Sequence, residues 1–378
     1  MDARSLGERW GSLDITSVSD VGLTALARVR GDRQEVLDLA DRRVRRIESM
    51  MGGAQGERSL DLVSDGSAER ETRPRSAVHD PRERDDLAGV LATSLLDRGQ
   101  ARSALGRLSE AETDFRRALS IRQANGDEDA AAIVLAAIAG VKQRGGDPEG
   151  AKTLYLAALE RMRISGHRNN NVVALLSNLS MLYLESEEPG PGGALAEEAR
   201  AMALELESEG PAAFALYLTG LAAMFSDPPL ARGRLERSLS EFRGIRQRRG
   251  EMHARNGLLH LEVLRQNYAA AYRIGRSLID EIAEQEGPFF ATTLAALGKA
   301  CLGLGYPEAG TALLGAASHA IEAVDSVLPQ DDDRRFRSWT RDARDALADE
   351  RFAQAWEEGR TVPVDQISRR FLGNVALG

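Results

Sequence analysis

The chain has 378 residues and a formal net charge of −9, so it is longer than one hydrophobic core usually serves and too acidic for a general polyanion binder, which would be basic. Hydrophobic residues make up 43% of it and aromatic ones 5%, which suits helices packed through Ala and Leu better than an aromatic-rich β-sandwich. Its one cysteine, Cys301, excludes an intrachain disulfide and a cysteine-based zinc site.

Residues 1–18 are polar and irregular. The Met-Asp-Ala-Arg start has no apolar h-region, which argues against a signal peptide. No stretch approaches the roughly 18 apolar residues that a membrane span needs, so a cytoplasmic protein is expected. Between Val21 and Met51, apolar residues at Leu23, Leu26, Val29, Val36, Leu37, Leu39, Ala40 and Val44 recur at helical spacing, with a break at Gly31-Asp32. Residues 1–51 therefore read as an N-terminal helical appendage or a degenerate repeat. Residues 52–85 are rich in Gly, Ser, Arg, Asp and Glu and contain Pro74 and Pro81. They hold too little apolar surface to offset chain ordering and are expected to be a flexible linker and the main protease-sensitive region.

From Leu87 the helical period is steady, and a small-residue rhythm sets in. It reads Gly99, Gly106, Ala111, Phe115, Ala118, then Ala139, Gly146, Ala151, Tyr155, Ala158, and again Gly298, Gly305, Gly310, Leu314, Ala317. Each set has offsets of 7, 5, 4 and 3, the interior of a helix–turn–helix unit whose helices touch where side chains are small. Six such units span about 86–125, 128–166, 170–209, 211–248, 251–285 and 288–325. Turns fall at Gly145-Gly146-Asp147-Pro148, Ser226-Asp227-Pro228-Pro229 and Gly305-Tyr306-Pro307-Glu308, and Pro148 suits the first turn of a helix. The internal turn of the third unit, Glu187 to Gly193, reads as a few residues too long. The fifth unit is degenerate, with Asn267-Tyr268 in place of a Gly-Asp turn.

Beyond the units, Asp331 to Leu347 reads as a charged helix and Arg351 to Gly359 as a short one. Asp365 to Phe371 adds one more turn. Residues 329–378 are expected to cap the array, with the charged helix as the natural polar-faced cap.

The rhythm resembles the tetratricopeptide repeat, whose pattern is Leu-Gly, then Tyr, Ala, Phe, Ala in a unit of about 34 residues. No unit has the Trp of that pattern. The resemblance implies an all-α, right-handed superhelical solenoid of about six helix pairs over residues 86–328, closed by a C-terminal capping helix. A second resemblance lies in the run from Leu297 to Ala323 together with the stretch from Arg351 to Ile367. It is similar to the closing segment of the LuxR-type and AfsR-type ATPase regulators of high-GC bacteria. Their Phe-x-x-Ala-Trp-x-x-Gly-Arg-like element falls here on Phe352, Ala355, Trp356, Gly359 and Arg360. In those regulators a nucleotide-binding module precedes a tetratricopeptide sensor region. No GxxxxGK[ST] stretch is present here, so the resemblance is to the sensor arm alone. It implies partner or signal recognition in bacterial regulation and does not carry over ATP hydrolysis or DNA binding.

Residues of chemical interest form no convergent catalytic set, and no enzyme activity, cofactor or metal is expected. His253 and His260 lie seven residues apart, two helical turns, too far for easy joint ligation of one metal. Cys301 falls where the repeat wants a small core side chain. Asp331-Asp332-Asp333 lacks the Gly and distal Glu of an EF-hand loop and suits a helix start. Arg243, Arg246, Arg248 and Arg249 read as a solvated helix end, with no interleaved aromatics for base stacking.

The resemblance places the first helix of each unit along a concave groove. Its expected partner-binding residues are Asn178, Met181, Phe214, Tyr217, Met224, Arg255, Asn256, Glu262 and Lys299. Asn178 and Asn256 share a unit position where the family often carries an Asn that bonds a peptide backbone, an amide offering donor and acceptor together. A protein or peptide partner in this groove is expected, and neither nucleic acid nor membrane. Three alternatives stay open: a polar inner face with no ligand, a groove filled by the chain's own N-terminal segment, and a receptor-type regulator whose superhelix changes on ligand binding.

Overall fold

In the computed structural model, residues 33–52, 81–282, 288–322, 330–363, 366–373 and 375 are described. The first 32 residues and 53–80, most of the expected linker, lie outside them. Every regular element among the described residues is a helix. In chain order these are α1 (Arg33–Gly52), α2 (Pro81–Ala104), α3 (Leu108–Ala124), α4 (Glu128–Arg144), α5 (Pro148–Ile164), α6 (Asn170–Glu185), α7 (Pro189–Glu205) and α8 (Glu209–Ala222). There follow α9 (Pro228–Gly244), α10 (Arg248–Leu264), α11 (Tyr268–Ile282), α12 (Pro288–Gly303), α13 (Pro307–Glu322), α14 (Gln330–Ala346), α15 (Asp349–Thr361) and α16 (Ile367–Phe371).

The punctuation is chemical. Proline stands in the first turn of α5, α7 and α9, where its missing N–H costs nothing. Asp147 and Asp227 cap α5 and α9 by accepting from the Gly150 and Leu230 N–H groups. Helix ends carry a left-handed residue: Gly106, Gly126, Gly146, Gly166 and Gly305, but also Glu187, Glu207, Arg246 and Gln266. Successive members fall about twenty residues apart over most of the chain. Around each, two backbone bonds close the helix in the same way. Gly146 N–H reaches Gln143 O (3.1 Å) and Asp147 N–H reaches Lys142 O (2.9 Å); Gln266 reaches Val263 O (3.0 Å) and Asn267 reaches Glu262 O (2.9 Å). The second donor residue is already the cap of the next helix, so the turn is three residues long. With helices of mostly 16 or 17 residues, a pair takes about forty residues rather than the ~34 of the tetratricopeptide pattern.

Two sequence expectations are corrected here. The turn after α6 is short: α7 starts at Pro189, and Glu187 (φ 60°) takes the left-handed place that glycine fills elsewhere. Longer turns lie between α5 and α6 and between α8 and α9 instead. In addition, α2 begins at Pro81, inside the stretch read as linker.

Two compact units divide the chain, residues 1–141 and 142–378. In the first, α1 packs on α2 and α2 on α3. Val36, Leu37, Leu39 and Ala101 form the apolar seam of α1 and α2. Beside it, Arg98 holds Asp114 through two bonds (2.5 and 2.9 Å) and also Asp41 (3.2 Å), while Arg102 adds a bond to Asp114 (2.7 Å). Arg43 bonds Ser94 and Asp97, both at 2.8 Å. Asp114 is 3% exposed, a burial that is tolerable because its oxygens are so fully bonded. Phe115 lies on Gly99, where a β-carbon would overlap the ring.

In the second unit the helices from α7 to α13 each pack on the next in sequence. Ser180 Oγ donates to Gly192 O (2.7 Å), tying α6 to α7 at a small-residue contact. A core of Leu259, Leu278, Leu294, Leu297, Cys301, Leu313 and Leu314 runs into the C-terminal helices. There α15 packs on α13, burying Phe352, Ala355 and Gly359, and Arg360 grips Glu322 with two bonds (2.7 and 2.9 Å). The Phe-x-x-Ala-Trp-x-x-Gly-Arg element is thus a packing device. Helix α16 returns to α11 and α13, and Tyr272 Oη donates to Leu372 O (2.9 Å). The charged helix α14 takes a different place: it touches α12, α13 and, far away in sequence, α6. The broadest contact with the last pair is made by α15, on α13.

Candidate binding site

The first helices of successive pairs in the second unit, α6, α8, α10 and α12, present one face. On it lies a cavity of about 450 Å³. Its apolar walls are Met181 and Leu184 of α6, Tyr217 and Leu221 of α8, and Met224 and Phe225 of the following turn. Asn256 and His260 of α10 add polar groups, and Asp332, Arg334 and Arg335 of α14 close another side.

Four of the nine residues expected from the sequence line this cavity: Met181, Tyr217, Met224 and Asn256. Asn256 is buried, and its Oδ1 accepts from Thr293 Oγ1 (3.1 Å). Phe214 sits behind Tyr217 in an aromatic group, 5.7 Å from its ring and 6.2 Å from His253, which lies 4.8 Å from Phe289. The other four are elsewhere. Asn178 is exposed on α6 and does not line the cavity. Arg255 turns to α11, bonding Glu281 Oε1, Ser277 O and Ser277 Oγ, each at 2.8 Å. Glu262, 1% exposed, is a structural anion held by Arg232 and by Asn267 Nδ2 (2.6 Å). Lys299 binds Asp342 Oδ2 of α14 at 2.7 Å.

The sequence reading did not place Glu185, Glu187, Phe225, His260 or the α14 residues in the groove, and weighed His260 and Asp332 only as metal ligands. One signal was available: α14 carries Phe336 and Trp339 among ten charged residues in seventeen, and two aromatics a turn apart imply a covered face.

Burial shapes the electrostatics. Asp332 is pushed up to about 6 by burial and then by the Glu185 carboxylate. Burial also raises Glu185, against the pull of Gln143 Nε2, which donates to it at 2.5 Å. His260 is driven down to about 3 by burial and then by Arg335, and stacks on Trp339 with centroids 6.4 Å apart. His253 falls to about 4, first through burial and then through Arg249. Arg335 lies over the Phe225 ring at 5.7 Å, and Arg334 pairs with Glu187 at 2.7 Å. Burial lifts the Cys301 thiol to about 12, far from a reactive thiolate.

Among the described residues, no group of His, Cys, Asp and Glu is arranged to hold a metal ion, and no helix is long and apolar enough to cross a membrane. The arrangement offers apolar walls, neutral imidazoles and paired charges, the chemistry of recognition.

No protein-family model matches the sequence, and no curated protein matches it. Solved structures of similar fold include a Rap protein complexed with competence and sporulation factor, at 14% identity, with 95% of this chain and 97% of that one covered and a TM-score of 0.49. A signal transduction ATPase with a tetratricopeptide repeat sensor from Pyrococcus horikoshii is 15% identical over 84% of this chain and 44% of its own, with a TM-score of 0.48. BtubC from P. vanneervenii is 17% identical over 79% and 94%, with a TM-score of 0.45. The likeness is one of fold alone. By its own repeat geometry, the chain is an all-α helical-repeat protein.

Proposed function

We propose that the chain is a non-enzymatic module that binds a protein or peptide segment, serves in bacterial regulation, and holds that segment on the face made by α6, α8 and α10. The cavity carries this reading. Binding sites are concave and mostly apolar, with a few placed polar groups, and Met181, Leu184, Tyr217, Leu221, Met224 and Phe225 beside Asn256 and His260 have that composition. Phe225, 58% exposed, is suited to anchoring a partner, since aromatic side chains give large contact area at low entropy cost, and the buried Tyr217 backs it in the cavity wall. The histidines support recognition over catalysis: both are held neutral by burial and packed on rings. The C-terminal resemblance to sensor regions supports the regulatory setting.

The test begins with peptides selected from a displayed random library against the whole chain. Binding of a selected peptide is then measured by calorimetry for the wild type, Tyr217→Ala, Asn256→Ala and Arg248→Glu. Tyr217→Ala is expected to weaken binding by about 1–3 kcal/mol; because Tyr217 is buried in the core, the truncation also costs packing, so binding is read at a temperature where the variant keeps the wild-type helical circular dichroism. If both inner-face variants keep the peptide and Arg248→Glu loses it, the site is on the outer basic cluster and the reading fails. The seat of α14 on the same face favours the receptor-type version, in which binding rearranges the unit; ligand-dependent compaction in solution scattering would support it.

A further inference from the structure

Helix α14 is attached differently from its neighbours. The contact of α15 with α13 is made backbone to backbone at glycine. That of α14 is made by side chains: Ala343 is buried in the core, Phe336 and Trp339 pack partly buried against it, and at the rim stand Trp339 on His260, Arg335 over Phe225, Arg334 to Glu187 and Asp342 to Lys299. Of its described side chains only Ala343 is fully buried. Arg334 and Glu187 are 60% and 42% exposed, and such pairs hold weakly. The cavity persists beneath the first turn of α14, whereas a committed interior would be filled. At that point Asp332 and Glu185 both line the cavity, and the Glu185 carboxylate disfavours the charge of Asp332.

We propose that α14 is a displaceable occupant of the inner face, and that the partner is an amphipathic helix of the same chemistry. That partner would carry two aromatic residues one turn apart, arginines just before them and an acidic residue after. This rests on the reading of the inner face as the binding site. The face supplies a complement for each feature: Glu187 and the Phe225 ring for arginines, His260 for an aromatic ring, and Lys299 for a carboxylate. Since α14 is tethered, its effective concentration is high, so a free helix competes poorly until α14 is loosened. A ligand that binds only the uncovered face shifts the population toward it.

The experiment uses the full chain and, as probe, a fluorescent synthetic peptide of residues 330–346. Three forms are compared by anisotropy: wild type, Phe336→Ala with Trp339→Ala, and Glu187→Cys with Arg334→Cys joined by a reducible bismaleimide. Cys301 is buried and stays unmodified. The loosened chain should bind the probe at least tenfold more tightly than wild type, with faster amide exchange confined to α14. The cross-linked chain should not bind it, and reduction of the linker should restore the wild-type response. Equal binding by all three forms overturns the proposal, as does no binding to a loosened chain whose α14 amides exchange freely. If the loosened chain loses helicity, the cross-link decides through a library-selected peptide. Binding that depends on Tyr217 yet ignores the cross-link removes the strap and leaves the inner-face site standing; binding indifferent to Tyr217 removes the site itself.

Discussion

Gly359 of α15 lies so close to Ala312 of α13 that a β-carbon on it would overlap the Ala312 carbonyl oxygen. Gly315 meets the backbone of Trp356 in the same way. Backbone cannot swing aside as a side chain can, so Gly359→Ala should force the helices apart and cost about 1–3 kcal/mol or more by overpacking. Gly233, in α9, has open space where its β-carbon would stand. Gly233→Ala should stabilise by about 0.5–1 kcal/mol through helix propensity alone. Urea melts of the two variants should move in opposite directions.

Ala111, Ala118 and Ala151 have no exposed surface. Replacing each by Leu should cost about 1–3 kcal/mol. Thermal melts within a few tenths of a kcal/mol of wild type for all three would contradict the packing described.

Glu207, Arg246 and Gln266 hold φ values of 53°, 55° and 57°. A left-handed non-glycine residue costs about 1–2 kcal/mol, against about 0.5–1 kcal/mol for the extra entropy glycine loses on folding. Each change to Gly should therefore stabilise by about 0.5–1 kcal/mol. Gly146→Ala, at φ 81°, should destabilise by a similar amount. Chemical denaturation of the four single variants reads the signs directly.

Acid should act on the binding face through opposed groups. His253 and His260 titrate near 4 and 3 when folded, against an ordinary 6.5. The unfolded chain takes up their protons first, so this stability is present above pH 6.5 and is lost as pH falls toward those values. Asp332, near 6 rather than 3.8, runs the other way, its contribution present below pH 3.8 and lost as pH rises toward 6. His260→Phe should flatten the acid loss while keeping a ring on Trp339. Asp332→Asn should steepen it, gaining on wild type more at pH 7 than at pH 4.5. Urea unfolding at the two pH values tests both, and parallel profiles for all three chains would contradict the burial of these groups.

The repeats were legible because their contacts are local and periodic. Ala111, Phe115, Ala118, Ala151 and Tyr155 are buried at the expected offsets, and Gly106, Gly146 and Gly305 make the turns. The turn after α6 was misread because Glu187 holds a conformation usually signalled by glycine. Arg255 and Glu262 looked available for a ligand because their ion-pair partners, Glu281 and Arg232, stand 26 and 30 residues away, a separation no local pattern carries. Helix α14 looked like a solvated cap because charge dominates it. What charge concealed was the pairing of Trp339 with His260 across the face it covers.

The even spacing of the left-handed residues gives the chain a quantum of length. One residue inserted within a helix rotates everything after it by about 100°, turning a small-residue contact such as Ala151 away from its neighbour and a cavity wall such as Met181 toward solvent. Removing the stretch from one left-handed residue to the next but one, about forty residues, leaves every later face in phase. Whole helix pairs are thus the natural currency of gain and loss in this chain, and single-residue slips inside its helices are not.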